Sequence, residues 1–202
     1  MIASLPAELL RALRLTIAVF IITGLGYPLL ITGIAQAAFP SQANGSLISK
    51  GGMVVGSSLI GQQFSGDTYF HGRPSATVDA TTGKAAPYTA DNSGGSNLGP
   101  SNQALTDRVK AAVDDLKKSD EVPADGVPVD LVTTDFSGLD PDISVASAQV
   151  QAPRVAKARG MDESKLRALI DRYTRGRDLG VFGEPRVNVL LLNLALDNGE
   201  GA

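Results

Sequence analysis

The chain contains no cysteine and no tryptophan, and it has a single histidine, His71. Without cysteine there is no disulfide framework, no thiolate metal site and no thiol nucleophile. One histidine cannot supply a site built on two or three imidazole ligands, so no metal site is expected. Aromatic residues make up only 5% of the 202 residues. The 18 basic side chains are scattered and the net charge is −3. That pattern lacks the electrostatic footprint of a nucleic-acid binder, and no nucleic-acid partner is expected. No internal repeat is visible. The most informative absence is local: Leu15 to Ser49 holds no charged residue.

Within that stretch, Thr16 to Ala35 gives 20 uncharged, mostly apolar residues. As a helix they cross about 30 Å of hydrocarbon. Gly24, Gly26 and Pro28 interrupt the run. Such residues are tolerated in spanning helices, and small ones also let a neighbouring helix approach. Gly24 and Gly26 are therefore candidate subunit contacts. Ala35-Gln36-Ala37 resembles a signal-peptide cleavage site behind Arg11 and Arg14. The apolar run exceeds the usual h-region of about 7–15 residues, so a retained anchor is expected. Arg11 and Arg14 precede the span and the next basic residue is Lys50. The excess of positive charge places the N-terminus in the cytoplasm and the bulk of the chain outside.

The expected fold class is α+β: a single N-terminal transmembrane helix plus one extracytoplasmic mixed α/β domain. The expected divisions are 1–14 (cytoplasmic N-terminus), 15–39 (transmembrane helix), 40–52 (linker), 53–197 (extracytoplasmic domain) and 198–202 (tail). Gly52 to Ile60 has strand-like content broken by Gly56, and Phe64 to Phe70 suggests a second short strand. Residues 71–100 show almost no periodicity, and a loop that long tends to be functional or disordered. Asn102 to Lys118 reads as an amphipathic helix with Leu105, Val109, Ala112, Val113 and Leu116 inward and Ser101 as N-cap. Val129 to Thr134 reads as a strand, and Gly138 to Pro141 as a turn. A helix starts over Ile143 to Gln149, and Pro153 restarts one that runs to Arg159. Asp162 caps Glu163 to Tyr173, whose inner face is Leu166, Leu169, Ile170 and Tyr173. Val187 to Asp197 is open between a buried strand and a helix. In the helical case, which is favoured, Pro185 suits N1 and Arg186, Asn193 and Asp197 share a face.

Three groups of residues invite a functional reading. Ser93-Gly94-Gly95-Ser96-Asn97 is bare backbone of the kind that approaches phosphate, with hydroxyl donors beside it. It resembles the LSGGQ signature of ABC ATPases. Asn92 stands where that signature has leucine, and no GxxxxGK[ST] phosphate loop exists in the chain. The loop also lies on the outward side of the expected topology, away from cytoplasmic ATP. A Gly-Gly turn before the following helix is the favoured reading, with a positive φ expected at one of the two glycines. His71 and Arg73 are equipped for directional polar contacts and are candidate subunit-contact residues. A hydrolase in which His71 acts as base, Asp79 orients it and Ser93 or Ser96 attacks lacks any supporting spacing or strand–elbow–helix motif. Asp67, Asp79, Asp91, Asp135, Asp140 and Asp142 offer oxygen ligands for hard cations, but no EF-hand spacing appears and solvated surface charge is favoured. Basic residues from Lys157 to Arg177 read as helix-surface charge, or as contacts to lipid headgroups or a partner.

Seven segments together carry a resemblance. They are YPLLITGIAQAAFPSQANGSLI (Tyr27–Ile48), GSSLIGQQF (Gly56–Phe64), YFHGRPSAT (Tyr69–Thr77), SGGSNLGPSN (Ser93–Asn102), SGLDPDIS (Ser137–Ser144), PRVAKARG (Pro153–Gly160) and GEPRVNVLLLNLALD (Gly183–Asp197). In this order and over nearly the whole chain, they resemble the C-subunit family of the Kdp potassium-transporting ATPase. The resemblance implies a non-catalytic, single-span accessory subunit of a high-affinity potassium uptake complex in the cell (inner) membrane. Its implied partners are a channel-like potassium-carrying subunit, a P-type ATPase subunit, a very small fourth subunit and membrane lipid. It implies assembly or stabilisation of the complex and a chaperone-like rise in the ATP affinity of the ATPase subunit. No cofactor is expected to be firmly bound; ATP contact at Ser93–Asn97 enters only through that family proposal. The family often has histidine after Leu-Asp-Pro; Asp142 stands here, so no histidine role carries over. The rival readings are a membrane-anchored envelope hydrolase and a free-standing ligand-binding module.

Overall fold

The structure is a computed structural model and describes residues 5–201; residues 1–4 of the expected N-terminal segment and residue 202 of the tail lie outside the described residues. The chain divides into two compact units, one ending at Leu47 and one beginning at Ile48. The chain is mixed helix and sheet, as the sequence suggests.

In the first unit, α1 (Leu5–Val19), a π-helical stretch (Phe20–Gly26) and α2 (Tyr27–Ala38) form one apolar helix of 34 residues. Its length and composition are sufficient to span a membrane. Pro28 explains the π stretch: it donates no N–H and its ring crowds the carbonyl one turn earlier. The wider turn relieves that conflict, and the Tyr27 N–H reaches back to the Ile22 carbonyl. Gly24 and Gly26 both lie in this stretch. A Cβ on Gly24 would sit 3.2 Å from the Phe20 ring, and one on Gly26 would sit 3.4 Å from the Ile21 carbonyl. Gly24 thus leaves room for the Phe20 ring within the helix, whereas a Cβ on Gly26 would make only an ordinary contact. The expected linker is structured: α3 (Pro40–Ala43) follows, and the Gln36 and Asn44 amides hydrogen-bond each other at 3.2 and 3.0 Å.

A hairpin of β1 (Leu47–Lys50) and β2 (Met53–Ser57) follows, its first residue being the last of the first unit. Gly51 and Gly52 join them at φ 60 and 82, the left-handed pair a tight two-residue hairpin turn needs. The core lies further on. Strands β3 (Asp142–Ser144), β4 (Thr174–Arg175) and β5 (Arg186–Asn188) form an antiparallel sheet in the order β3-β5-β4. Ile143 and Thr174 both face Val187 across β5. Helices α5 (Val145–Arg159), α6 (Glu163–Tyr173) and α7 (Val189–Asp197) close the core with Val155, Leu166, Leu169, Ile170 and Leu192 fully buried. Asp162 accepts the Ser164 N–H at 2.7 Å and caps α6 as expected.

Several expectations are corrected. Val187–Asp197 is neither strand nor helix throughout: β5 ends at Asn188, whose side chain caps α7 by accepting the Leu191 N–H at 3.0 Å. Arg186 therefore lies on the strand and shares no helical face with Asn193 and Asp197, and Pro185 is not an N1 residue. α5 passes through Pro153 without a restart. The carbonyl that Pro153 leaves without its N–H donor is that of Gln149, and Arg167 Nη1 donates to it at 3.3 Å. Val129–Thr134 is not a strand; Val129–Leu131 is a 3-10 turn after Pro128 that buries Leu131 and Val132. Asp130 fixes that turn by accepting the Ser144 N–H at 2.7 Å. α4 (Gln103–Ser119) is capped by Asn102, which accepts the Ala104 N–H at 2.9 Å, one residue beyond the expected Ser101. Phe64–Phe70 forms no strand, because its partners are side chains.

Candidate functional site

Residues 62–101 contain no helix or strand, yet buried side chains from other elements hold part of their backbone. Phe70 is fully buried, and the Asn193 amide on α7 both accepts its N–H and donates to its carbonyl, each at 2.9 Å. The Gln151 amide on α5 treats His71 likewise, at 2.8 and 3.1 Å. Two buried side-chain amides thus replace the strand partner that this segment lacks, which satisfies its backbone groups as a ladder would. Arg154 completes the clamp. Its Nη1 donates to the carbonyls of Asp67 and Tyr69 at 2.9 and 3.0 Å, and its Nε pairs with the buried Asp120 carboxylate at 2.7 Å. His71 Nε2 lies 2.9 Å from the Gly66 carbonyl. Burial, then the nearby Arg154 charge, pushes the His71 pKa below its ordinary value.

A second knot holds the glycine loop. Asp135 accepts the N–H groups of Ser137 at 2.7 Å and Asp140 at 2.9 Å, together with that of Gly138. Burial alone would raise the Asp135 carboxyl, but these donors outweigh it and hold it below the usual range. Ser75 Oγ donates to the Gly138 carbonyl at 2.7 Å, and the Tyr88 hydroxyl donates to the Arg73 carbonyl at 2.7 Å. Burial, then Asp135 and Asp140, pushes the Tyr88 pKa up to about 12. Arg73 pairs with Asp140 at 3.1 Å. Onto this platform the opening of the SGGSN stretch is tied: Ser93 Oγ and the Gly94 N–H both donate to the Ser137 carbonyl, at 3.1 and 2.9 Å.

The structure brings Ser93, Gly94 and Arg73 into one polar platform, and leaves His71 on the Gln151 clamp. The hydrolase constellation is not assembled. His71 meets Gly66, Asp79 meets the N–H groups of Thr81 and Thr82, and Ser93 meets Ser137. Asp135, Asp140 and Asp142 are built-in structural acceptors or ion-pair partners rather than solvated surface charge. The positive φ expected at Gly94 or Gly95 falls instead on Asn97, at φ 52. A Cβ on Gly94 would meet open space, whereas one on Gly95 would lie 3.2 Å from the Phe136 carbonyl. Close approach, not a left-handed turn, is what Gly95 provides. Gln151, Arg108 and Phe136 escaped the sequence reading, as did the hold of Asn193 on the Phe70 backbone. Signals existed for each. Gln151 and Asn193 are amides on otherwise apolar helix faces. Arg108 stands three residues after Leu105 in an apolar stripe, and Phe136 is an isolated aromatic in a polar turn.

The model of the family described as KdpC, the c chain of the K+-transporting ATPase, matches residues 9–198. The chain belongs to the KdpC family. A protein of Bradyrhizobium diazoefficiens named potassium-transporting ATPase KdpC subunit is 59% identical over 195 residues, covering 94% of this chain and 96% of its own length. Proteins of the same name from Rhodopseudomonas palustris and Methylobacterium nodulans are each 57% identical, with 94% of this chain covered and 97% and 96% of theirs. Within this KdpC chain, Asp142 occupies the position where the resemblance suggested histidine. It pairs with Arg186 at 3.2 Å, and burial, then Asp140, raises its pKa.

Proposed function

We propose that this chain is a non-catalytic accessory subunit that assembles and stabilises an ATP-driven potassium uptake complex. Its partners are a channel-like potassium-carrying subunit, a P-type ATPase subunit and a very small fourth subunit. The observation that carries this reading is how the polar and apolar groups are used. The side chains of His71, Arg73 and Ser93 are engaged in internal contacts. Meanwhile Phe136, Leu179, Val181 and Phe182 are 98%, 89%, 66% and 64% exposed at loop tips. Apolar side chains displayed in this way suit protein–protein contact. The N-terminal helix anchors the chain in the cell membrane with Arg11 and Arg14 on the cytoplasmic side. Any effect on ATP affinity then reaches the ATPase subunit by coupling between subunits rather than by nucleotide contact.

A tagged chain purified from membranes should bring the other subunits with it. In that complex Ser93→Ala combined with Ser96→Ala should change the half-saturating ATP concentration by less than about threefold. A hydroxyl bound to phosphate is worth about tenfold or more. A tenfold rise with normal subunit content would restore direct nucleotide contact. Orientation is tested separately in this cysteine-free chain: an impermeant thiol reagent should label Ser119→Cys and spare Ala7→Cys in intact cells, and the reverse pattern overturns the topology.

A further inference from the structure

Ser96, Asn97, Leu98, Leu105, Arg108 and Phe136 line a cavity of about 210 Å3. Its polar groups are idle. The Arg108 guanidinium makes no hydrogen bond or ion pair among the described residues, and its Nε–H is buried without an acceptor. The side chains of Ser96 and Asn97 likewise make no hydrogen bond among the described residues. A buried donor without an acceptor is costly, and only a group from outside recovers that cost here. The surroundings are rigidly placed. The Asp135 knot fixes the turn that displays Phe136. Asn102 caps the helix that carries Arg108.

We infer that this cavity is a socket for a carboxylate side chain of a neighbouring subunit. Arg108 grips the carboxylate, Ser96 and Asn97 add donors, and the exposed Phe136 ring covers the apolar stem. The inference rests on the subunit reading above. Charge selects the occupant: the guanidinium fork matches a carboxylate, and it is uncompensated. Size selects against a nucleotide, because drug-sized ligands occupy pockets of about 300–1,000 Å3. An arginine beside an exposed aromatic is also the composition of an interface hot spot. A larger cavity, about 610 Å3 beside the Asp120–Arg154 pair, has no such selectivity: Asp67, Asp120 and Glu121 balance Lys118, Arg154 and Lys157.

The test uses the complex purified from membranes. A photo-crosslinking residue in place of Phe136 should couple to a peptide of another subunit that contains Asp or Glu. Arg108→Glu should lower the partner subunits recovered per chain by about tenfold or more. Changing the identified partner acid to Arg should restore recovery in the Arg108→Glu background. Arg108→Gln, which keeps much of the shape, should fall between wild type and Arg108→Glu. Undiminished recovery with folded Arg108→Glu overturns the socket alone, as do crosslinks confined to lipid or to this chain. If Arg108→Glu fails to fold, the crosslink decides. Protection of Arg108 from phenylglyoxal by ATP or inorganic phosphate in the full-length chain would reassign the cavity to a soluble anion. Failure of the wild-type chain to recover any partner overturns the subunit reading and the socket together.

Discussion

From Asp142 to Asp197 the globular unit is held by apolar contact, whereas from Gln62 to Pro141 it is held by polar side chains gripping backbone. Among the described residues, the first region supplies almost all of the buried apolar side chains; Phe70, Val122, Leu131 and Val132 are the exceptions. The second region has one α-helix, α4, with no buried residue, and no strand. The contrast teaches where specificity resides. Apolar contact tolerates repacking, but a backbone group held by one buried amide has no substitute partner. The polar region is therefore the one in which single changes of shape-matched residues should be most costly. It is also the region that carries the glycine loop and the Arg108 cavity.

The Asp120–Arg154 pair should give the largest effect. Both side chains are almost fully buried. Asp120→Ala leaves the Arg154 charge uncompensated and should cost about 3–5 kcal/mol, as much as truncating a core leucine such as Leu169. Denaturant unfolding of the detergent-solubilised full chain, followed by tyrosine near-ultraviolet dichroism, measures it. A loss below about 1 kcal/mol would mean that water replaces the carboxylate and that the polar region is softer than argued.

Asn193→Leu sharpens the comparison at nearly constant volume. It leaves the buried Phe70 N–H and carbonyl without their partner, and should cost about 2–4 kcal/mol although the core gains apolar surface. Hydrogen exchange should show the Phe70 and His71 amides losing protection before those of α5 and α6. Uniform loss across the unit would show that the two regions unfold as one.

A smaller, pH-dependent effect is expected at His71. Its folded pKa lies below its ordinary value because burial, then Arg154, disfavours the imidazolium. As pH falls below about 6.5 the unfolded chain takes up the proton first, so the stability present above that value declines. His71→Gln removes this term. Its stability should fall less steeply than that of the wild type from about pH 7.5 to about pH 5. Parallel curves would place the imidazolium in the folded state at no cost.

What the sequence determined by itself is what local physics decides. An uncharged run of 20 residues within Leu15–Ser49 is a helix able to span a membrane, because no other backbone arrangement satisfies its hydrogen bonds in hydrocarbon. Spacing and caps likewise gave α4 and α6 within a residue or two, since both signals act within one turn. The family was legible too, because its motifs are carried by order along the chain. Other features waited on distant partners. Arg186–Asn188 is a strand only because β3 and β4 flank it, and α5 crosses Pro153 with Arg167 meeting the orphaned carbonyl. The Phe70 segment is ordered without a ladder because Gln151 and Asn193 arrive from other helices. In the candidate site, Ser93 and Gly94 were visible as a motif, but their commitment to Ser137 was not. Nor was the idle charge of Arg108: a sequence gives the side chain, and only the packed structure decides whether a partner reaches it.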